Sequence, residues 1–303
     1  MSFARQIVPG RIYLVTRRCT QRQFLLRPDD ETNNAFRYCL GYAANRNGIA
    51  VIAYIANSNH YHAVVIDKEG RIPRFLEEFH RLVAKHQNAL RGRWENFWAS
   101  EQTSLVELVG EDDILAKTIY TLTNPVKDHL VASAVEWPGS SSLDANLRNI
   151  SLPAQRPSRF FRVDGSMPEK VELKCVRVPG LEHLDQKKYA EYLQETIARV
   201  EIEAERERRD TGRSVLGVRA VLAQQPDDRP QSREPRRNLD PHVASKDKWP
   251  RIEAIVRLKE FRAAYAVARD AWLRGHPCAF PEGTWWLSEF ATIRLAESPK
   301  QAA

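Results

Sequence analysis

The sequence lacks the cysteine spacings of zinc fingers and disulfide oxidoreductases. Its four cysteines, Cys19, Cys39, Cys175 and Cys278, include no C-x-x-C pair, which is the spacing that such sites use. The sequence also has no apolar run of membrane-spanning length and no charged-then-apolar leader near Met1. We therefore expect a cytoplasmic protein with reduced cysteines, and we expect neither secretion nor membrane insertion.

What is present is an ordinary globular composition with a basic excess. The chain has 303 residues, of which 43% are hydrophobic and 28% are charged, so it can bury a sizeable core in about two domains. The net charge of +7 and the pI near 9.3 hint at a polyanionic partner. Charge alone does not identify that partner.

Hydrophobic periodicity predicts alternating strands and helices in the first half of the chain. We expect strands at 11–18, 49–56, 60–67 and 103–109, and helices at 30–47, 72–90 and 111–126. The last helix should end near Asn124, because Pro125 disfavours helical geometry in the residue before it. The two central strands form a hairpin, so the order predicts an α+β fold: a ferredoxin-like antiparallel sheet with helices packed on it.

The character of the sequence changes near residue 143, where a polar, proline-bearing stretch begins. We place a domain boundary there, with one domain at 1–143 and a mainly α-helical region at 144–303. Helical patterns cover 185–209, 215–224 and 249–275, and the Pro/Arg-rich stretch 225–242 is predicted to be a linker or flexible arm.

Two histidines, His60 and His62, lie one residue apart in the predicted strand at 60–67. Alternate residues of a strand point to the same face, so both imidazoles can share a divalent metal. An H-x-H pattern is weak evidence on its own. On these two residues alone, a pair of partly exposed strand histidines with no metal role is the better interpretation.

Tyr120 and Asn124 lie four residues apart and so share one face of the predicted helix at 111–126. Tyr120 offers a phenolic nucleophile, and Asn124 offers a carbonyl oxygen that can complete a metal site begun by two histidines. The alternative is a core aromatic residue followed by a helix C-cap.

Four segments together resemble a known family. "PGRIYLVTRR" at 9–18 resembles its first strand, and "SNHYH" at 58–62 resembles its histidine–hydrophobic–histidine (HUH) motif. "YTLTNPVKDHLV" at 120–131 is similar to the segment with the single catalytic tyrosine, and "EWPGSSS" at 136–142 to the segment that closes the domain. In this order they resemble the single-tyrosine HUH transposases, in particular the REP-associated tyrosine transposases, over about residues 5–143.

The resemblance implies a metal-dependent transposase that nicks and joins single-stranded or hairpin DNA in the bacterial cytoplasm, associated with the nucleoid. His60, His62 and Asn124 would hold Mg²⁺ or Mn²⁺, and Tyr120 would attack phosphorus to give a 5′-phosphotyrosine link. A homodimer is compatible with the resemblance, and the sequence leaves the oligomeric state open.

The sequence departs from the family pattern at Tyr61, where the family usually has an aliphatic residue between the histidines. Strand alternation should point Tyr61 away from the metal and into the packed side of the sheet. We keep it as a second candidate nucleophile.

Basic residues that we expect near the site, and three aromatic residues, are candidate DNA contacts. They are Arg17, Arg18, Arg22, Arg71, Arg74, Arg91, Arg93, Trp94, Phe97 and Trp98. Any one arginine can equally be an ordinary surface residue, and we expect at least one of the three aromatic residues to be core. The arginine-rich arm at 229–237 can add nonspecific affinity for DNA, although such runs are commonly solvated linkers.

Two other functions remain open at this stage. One is a non-catalytic module that binds single-stranded DNA or RNA on the same sheet. The other is a hydrolase in which His60 and His62 bind zinc and water is the nucleophile.

Overall fold

The computed structural model describes residues 4–232 and 241–296. Its centre is a twisted sheet between layers of helices. The strands are β1 (Arg11–Arg18), β2 (Ile49–Ala56), β3 (His60–Asp67), β4 (Ser104–Leu108), β5 (Leu152–Gln155), β6 (Lys170–Leu173) and β7 (Val243–Ala244). The helices are α1 (Asp30–Arg46), α2 (Ile72–Leu90), α3 (Glu111–Lys127), α4 (Leu143–Arg148), α5 (Gln186–Thr211), α6 (Val218–Ala223), α7 (Lys248–Leu273) and α8 (Trp285–Phe290).

The main sheet has the order β2-β3-β1-β4-β7. Its first four strands are antiparallel, and with α1 and α2 as the intervening helices they form the ferredoxin-like arrangement predicted from the sequence. The fold class is therefore confirmed. β7 extends the edge of the sheet in parallel with β4.

The helices α1 and α2 cover one face of the sheet, and α3 covers the other. The start of α1 is fixed by the Asp29 carboxylate, which accepts a hydrogen bond from the Thr32 amide, as an N-cap does. Gly48 follows α1 with φ +65° and lets the chain turn into β2.

The predicted end of α3 is wrong, because the helix continues through Pro125 to Lys127. A proline inside a helix removes one backbone donor. Here the loss falls in the last turn, and Val126 is buried against the sheet. The amides of Asp128 and Leu130 donate to the carbonyls of Asn124 and Pro125, so the helix end is closed by the chain that follows it.

The region after residue 143 is mainly helical, as predicted, and it also holds strands that the sequence did not indicate. β5 and β6 form an antiparallel pair that packs on α1. Gly41 of α1 makes this approach feasible, since a Cβ there would lie 2.7 Å from Val171 Cγ1. The domain boundary near residue 143 stays a prediction.

The long helix α5 packs on α3 through its buried residues Tyr189, Leu193 and Ile197. The first part of the predicted linker, residues 225–232, lies against the loop after β1, where the Phe24 amide donates to the Asp228 carbonyl. Residues 233–240, and with them most of the arginine-rich arm, lie outside the described residues. Within the described parts of the chain, no helix is both long and apolar enough to span a bilayer.

Candidate metal and nucleophile site

The two histidines of β3 point toward α3, on the face opposite α1 and α2. The ring centroids of His60 and His62 are 4.8 Å apart. Thr16 lies opposite His62 in the register of β1 and β3, and its Oγ1 is 2.7 Å from His62 Nδ1. This hydrogen bond orients the His62 ring through Nδ1, as the outer partners of metal-ligating histidines do.

Both imidazoles are neutral at neutral pH. Burial, together with the positive charge of Arg18, lowers the pKa of His60 to about 4. Burial also holds the pKa of His62 well below its usual value, with His60 and Lys117 adding to the effect. Neutral imidazole is the form that binds a metal ion, so protons do not compete for these nitrogens at physiological pH.

The helix α3 lies across this strand face and brings Tyr120 and Asn124 to the histidines. The Tyr120 ring centroid is 5.2 Å from that of His62. Asn124 Nδ2 donates to Tyr120 Oη over 3.3 Å, and Asn124 is buried while Tyr120 is half-buried. The four residues singled out in the sequence therefore form one cluster.

Asn57, which the sequence did not single out, connects the two halves of the cluster. Its Nδ2 donates to His60 Nε2 over 3.0 Å and to Asn124 Oδ1 over 2.5 Å. Because His60 Nε2 accepts this hydrogen bond, its Nδ1 carries the proton and donates to Asn59 Oδ1 over 2.7 Å. The turn "NSN" contains both asparagines, and nothing in the pattern shows which of them faces the site.

The Tyr120 phenol is protonated in this environment. Burial raises its pKa, the carboxylate of Asp128 raises it further, and the hydrogen bond from Asn124 lowers it. Two lysines flank the ring, with Lys117 Nζ 5.5 Å and Lys127 Nζ 5.6 Å from its centroid. They occupy positions i−3 and i+7 on α3, a helical spacing that is visible in the sequence.

The donor set suits a divalent ion that accepts nitrogen and amide oxygen. Within residues 4–232 and 241–296, no three His, Cys, Asp or Glu side chains cluster as a metal site. An ion bound here must therefore take the Asn124 carbonyl beside the two imidazoles. Mn²⁺ and Mg²⁺ accept amide oxygen. The buried Asn57 Oδ1 has no hydrogen-bond partner in the described part of the chain, so the pocket also holds an unused oxygen donor.

The predicted DNA-contact arginines are divided between different parts of the molecule. Arg18 and Arg22 lie at the end of the sheet that holds the site, and their charges act on His60. Arg17 points to the opposite face, where its Nη1 is 2.6 Å from His80 Nδ1. Arg17 is partly buried on the face away from the histidines, because β1 alternates its side chains between the two faces. Its role in DNA binding stays a prediction.

Arg71 lies at the far end of β3. Its amide donates to the Asp67 carboxylate over 2.8 Å. Asp67 lies seven residues along the strand from His60, a separation of about 24 Å. Its guanidinium pairs with Glu69, and Arg74, one turn on, pairs with Glu289. The expectation that these two arginines lie near the site is wrong.

Arg91 and Arg93 lie behind the loop after β1. Arg91 Nη2 is 3.1 Å from Asp29 Oδ2, and Arg93 Nη1 is 3.0 Å from Asp227 Oδ1. Each therefore serves an ion pair within the chain, and their role in DNA binding stays a prediction.

The three aromatic candidates differ in their exposure to solvent. Trp94 is 89% exposed and presents its ring to solvent. Phe97 and Trp98 are buried, and Trp98 Nε1 donates to the His80 carbonyl over 2.9 Å. A buried indole has no open face for a base, so the stacking prediction can apply to Trp94 but does not fit Trp98.

Two solved structures are similar to parts of this chain. The chain is similar to a REP-associated tyrosine transposase bound to a REP hairpin, with 16% identity and a TM-score of 0.42, over 56% of this chain and 97% of that one. It is also similar to a Deinococcus radiodurans protein classed as a transposase, with 18% identity and a TM-score of 0.28, over 35% of this chain and 85% of that one. No family model and no curated protein matches the sequence.

Proposed function

We propose that the protein is a metal-dependent enzyme that nicks and rejoins single-stranded DNA, with Tyr120 as its nucleophile. One observation carries this proposal: the Tyr120 phenol packs on His62 and is hydrogen-bonded to Asn124, which is linked through Asn57 to His60. A nucleophile beside two neutral imidazoles and an amide oxygen suits metal-assisted phosphoryl transfer.

His60, His62 and Asn124 would hold a divalent ion. When bound, that ion supplies positive charge to the scissile phosphate and to the phenolate. Two imidazoles and one amide carry no net charge, so the protein ligands do not diminish the charge that the ion presents to the phosphate.

The reaction makes one bond and breaks one bond at phosphorus. Tyr120 Oη attacks the phosphate, the bond to the 3′-oxygen breaks, and that oxygen takes up a proton to give a free 3′-OH. The phenol releases its own proton toward solvent, to which the half-buried ring has access. Attack by a 3′-OH on the phosphotyrosine reverses the step and joins strands without an external energy source.

The chain's own residues contribute charge and orientation to this step. The hydrogen bond from Asn124 Nδ2 to Tyr120 Oη stabilises the phenolate. Lys117 and Lys127 place two cations beside the ring, and Arg18 and Arg22 add positive charge at the same end of the sheet. DNA is the polyanion that such a surface attracts, and the choice of single-stranded hairpin DNA follows the resemblance of the sequence motifs.

The test is a denaturing gel of the protein incubated with end-labelled single-stranded hairpin DNA and Mn²⁺. We expect a covalent protein–DNA product from the unmodified protein. Tyr120→Phe should give none while it retains DNA binding in a native gel, because the substitution removes only the hydroxyl.

Two outcomes would overturn the proposal. No product from the unmodified protein on any hairpin would favour a non-catalytic binding module. Strand cleavage that persists in Tyr120→Phe would favour hydrolysis by water.

A further inference from the structure

We propose that Asn57 is a fourth ligand of the divalent ion, through its Oδ1 after rotation of the side-chain amide. This inference rests on the proposed metal site and adds a residue to it. The site would then contain two imidazole nitrogens and two amide oxygens, from His60, His62, Asn124 and Asn57.

The position of the Asn57 amide supports a ligand role. Its terminal nitrogen lies within hydrogen-bond distance of two proposed ligand atoms at once, 3.0 Å from His60 Nε2 and 2.5 Å from Asn124 Oδ1. Ligands around Mg²⁺ lie at about 2.1 Å, so neighbouring ligands of an octahedron are about 3 Å apart. A terminal atom of Asn57 therefore already stands where a neighbouring ligand of the same ion would stand.

The oxygen of the same amide is unused. Asn57 is 1% exposed, and its Oδ1 contacts no hydrogen-bond donor within the part of the chain that the structure describes. A buried acceptor without a partner is energetically unfavourable. A half-turn of the amide exchanges oxygen for nitrogen, which turns this unused acceptor toward the position of the ion.

The backbone at Asn57 allows this exchange without a change of fold. Its amide donates to the His60 carbonyl over 2.8 Å and closes the turn between β2 and β3. This bond fixes the Cα position beside the histidines, so only the side-chain torsion has to change. Without an ion, the amide nitrogen faces the two acceptor atoms, and with an ion the oxygen replaces it.

The chemistry of the larger donor set is specific. Amide oxygens favour Mn²⁺ and Mg²⁺, whereas imidazoles alone favour Zn²⁺ and similar ions. A second amide oxygen, from Asn57, therefore shifts the preference of the site toward Mn²⁺ and Mg²⁺. It also keeps the ligand set neutral, which leaves the charge of the ion available to a phosphate.

The test measures Mn²⁺ binding to the full-length protein without DNA, by electron paramagnetic resonance of the free ion. Asn57→Ala should weaken binding by at least about tenfold, since loss of a hydrogen-bonding partner of a metal ligand alone costs about tenfold to a hundredfold. Asn57→Asp should tighten it, since a carboxylate adds a charged oxygen ligand at the same position. Asn34→Ala is the matched control, because Asn34 also uses its amide in hydrogen bonds, with Gln155, but lies on α1 across the sheet.

A second readout counts the water molecules on the bound ion, by electron spin echo measurements in D₂O. Asn57→Ala should gain one bound water relative to the unmodified protein, because the ion fills the empty position. An amide that acts only by positioning His60 and Asn124 would leave this count unchanged.

The result that would overturn the inference is tighter or unchanged Mn²⁺ binding in Asn57→Ala. Tighter binding would mean that the amide competes with the ion. His62→Ala separates this failure from failure of the proposed function: if it abolishes Mn²⁺ binding while Asn57→Ala does not weaken it, only the role of Asn57 is wrong. If neither variant changes binding, the metal site itself is wrong.

Discussion

Each face of the sheet holds a tyrosine in contact with a histidine, and the two tyrosines differ in their exposure to solvent. On the face of α3, Tyr120 packs on His62 and remains half-buried. On the face of α1 and α2, Tyr61 Oη is 2.6 Å from His80 Nε2, and both residues are buried. A tyrosine and a histidine in contact therefore occur on both faces, and residue type alone does not mark the site.

On the face of α1 and α2, one chain of hydrogen bonds connects Arg17, His80 and Tyr61. The Arg17 guanidinium only donates, so His80 Nδ1 accepts from it and His80 Nε2 donates to Tyr61 Oη. Burial raises the pKa of Tyr61 and lowers the pKa of His80, so both stay neutral. Tyr61 thus lies across the sheet from the proposed metal ligands, as strand alternation predicts, and it is not placed to act as a nucleophile beside them.

The difference lies in access to solvent and in nearby charge. The face of α3 has a half-buried phenol with two lysines beside its ring. On the other face, Tyr61 and His80 are enclosed by the buried rings of Phe79 and Trp98. Solvent access and flanking charge, and not residue type, distinguish the candidate site.

The largest contrast is expected between His62→Ala and His80→Ala. His62→Ala should abolish measurable Mn²⁺ binding and the covalent DNA product with little change in stability. His80→Ala should retain Mn²⁺ binding but lose about 3 kcal/mol of unfolding free energy, because it leaves Arg17 and Tyr61 unpaired in the core. Mn²⁺ titration and urea unfolding of both variants measure this contrast. Equal loss of Mn²⁺ binding in the two would contradict it.

The next contrast is between two tryptophans. Trp98→Ala should destabilise the protein by about 3–5 kcal/mol, since it removes a buried ring that packs on Tyr61 and carries the Arg17 guanidinium 5.4 Å from its centroid. Trp94→Ala should leave stability unchanged and weaken single-stranded DNA binding by about 1–3 kcal/mol, as loss of base stacking does. Thermal unfolding and fluorescence anisotropy distinguish them. Unchanged DNA affinity in Trp94→Ala would remove Trp94 from the DNA contacts.

Charges around Tyr120 should shift the pH dependence of adduct formation in opposite directions. Asp128 raises the Tyr120 pKa, so Asp128→Asn lowers it and moves the rise in rate with pH to lower pH. Lys127→Gln should move that rise to higher pH. At one pH below the rise, each change should alter the rate by about fivefold, the effect of roughly 1 kcal/mol of charge interaction. Single-turnover rates across pH provide the measurement, and shifts of the same sign would contradict the account.

The smallest contrast is between arginines at the two ends of the sheet. Arg18→Gln should weaken DNA binding by a few-fold and reduce the slope of log affinity against log salt by about one unit. Arg71→Gln, about 24 Å along β3, should change neither. Binding titrations at several salt concentrations test both variants. An equal loss in Arg71→Gln would place DNA along the whole strand.

Most of the first half of the fold could be predicted from the sequence, because hydrophobic periodicity dominates there. The bounds of β1, β2, β3 and α2 match the predicted ones. The end of α3 could not be predicted, since burial of Val126 against the sheet overrides a local preference at Pro125. β5, β6 and β7 were missed because they are at most four residues long and depend on contacts distant in the sequence.

For the site, the sequence indicated residues that lie on regular elements and missed the one in a turn. His60 with His62, and Tyr120 with Asn124, share a face by the period of their strand or helix. Asn57 has no such period, and its role depends on side-chain orientation. Arg71 and Arg17 were expected near the site, but Arg71 lies at the other end of the sheet and Arg17 on its other face. Neither nearness in the sequence nor a basic side chain specifies the end or the face of the sheet.

The central claim, that Tyr120 is the nucleophile, is tested most directly by peptide mapping of the covalent product after nuclease and trypsin digestion. Trypsin releases residues 118–127, "TIYTLTNPVK", which contain one tyrosine, whereas Tyr54 and Tyr61 fall together in residues 47–68. We predict a nucleotide linked through phosphate to Tyr120 in the first peptide. A nucleotide on the second peptide, or on neither, would contradict the account.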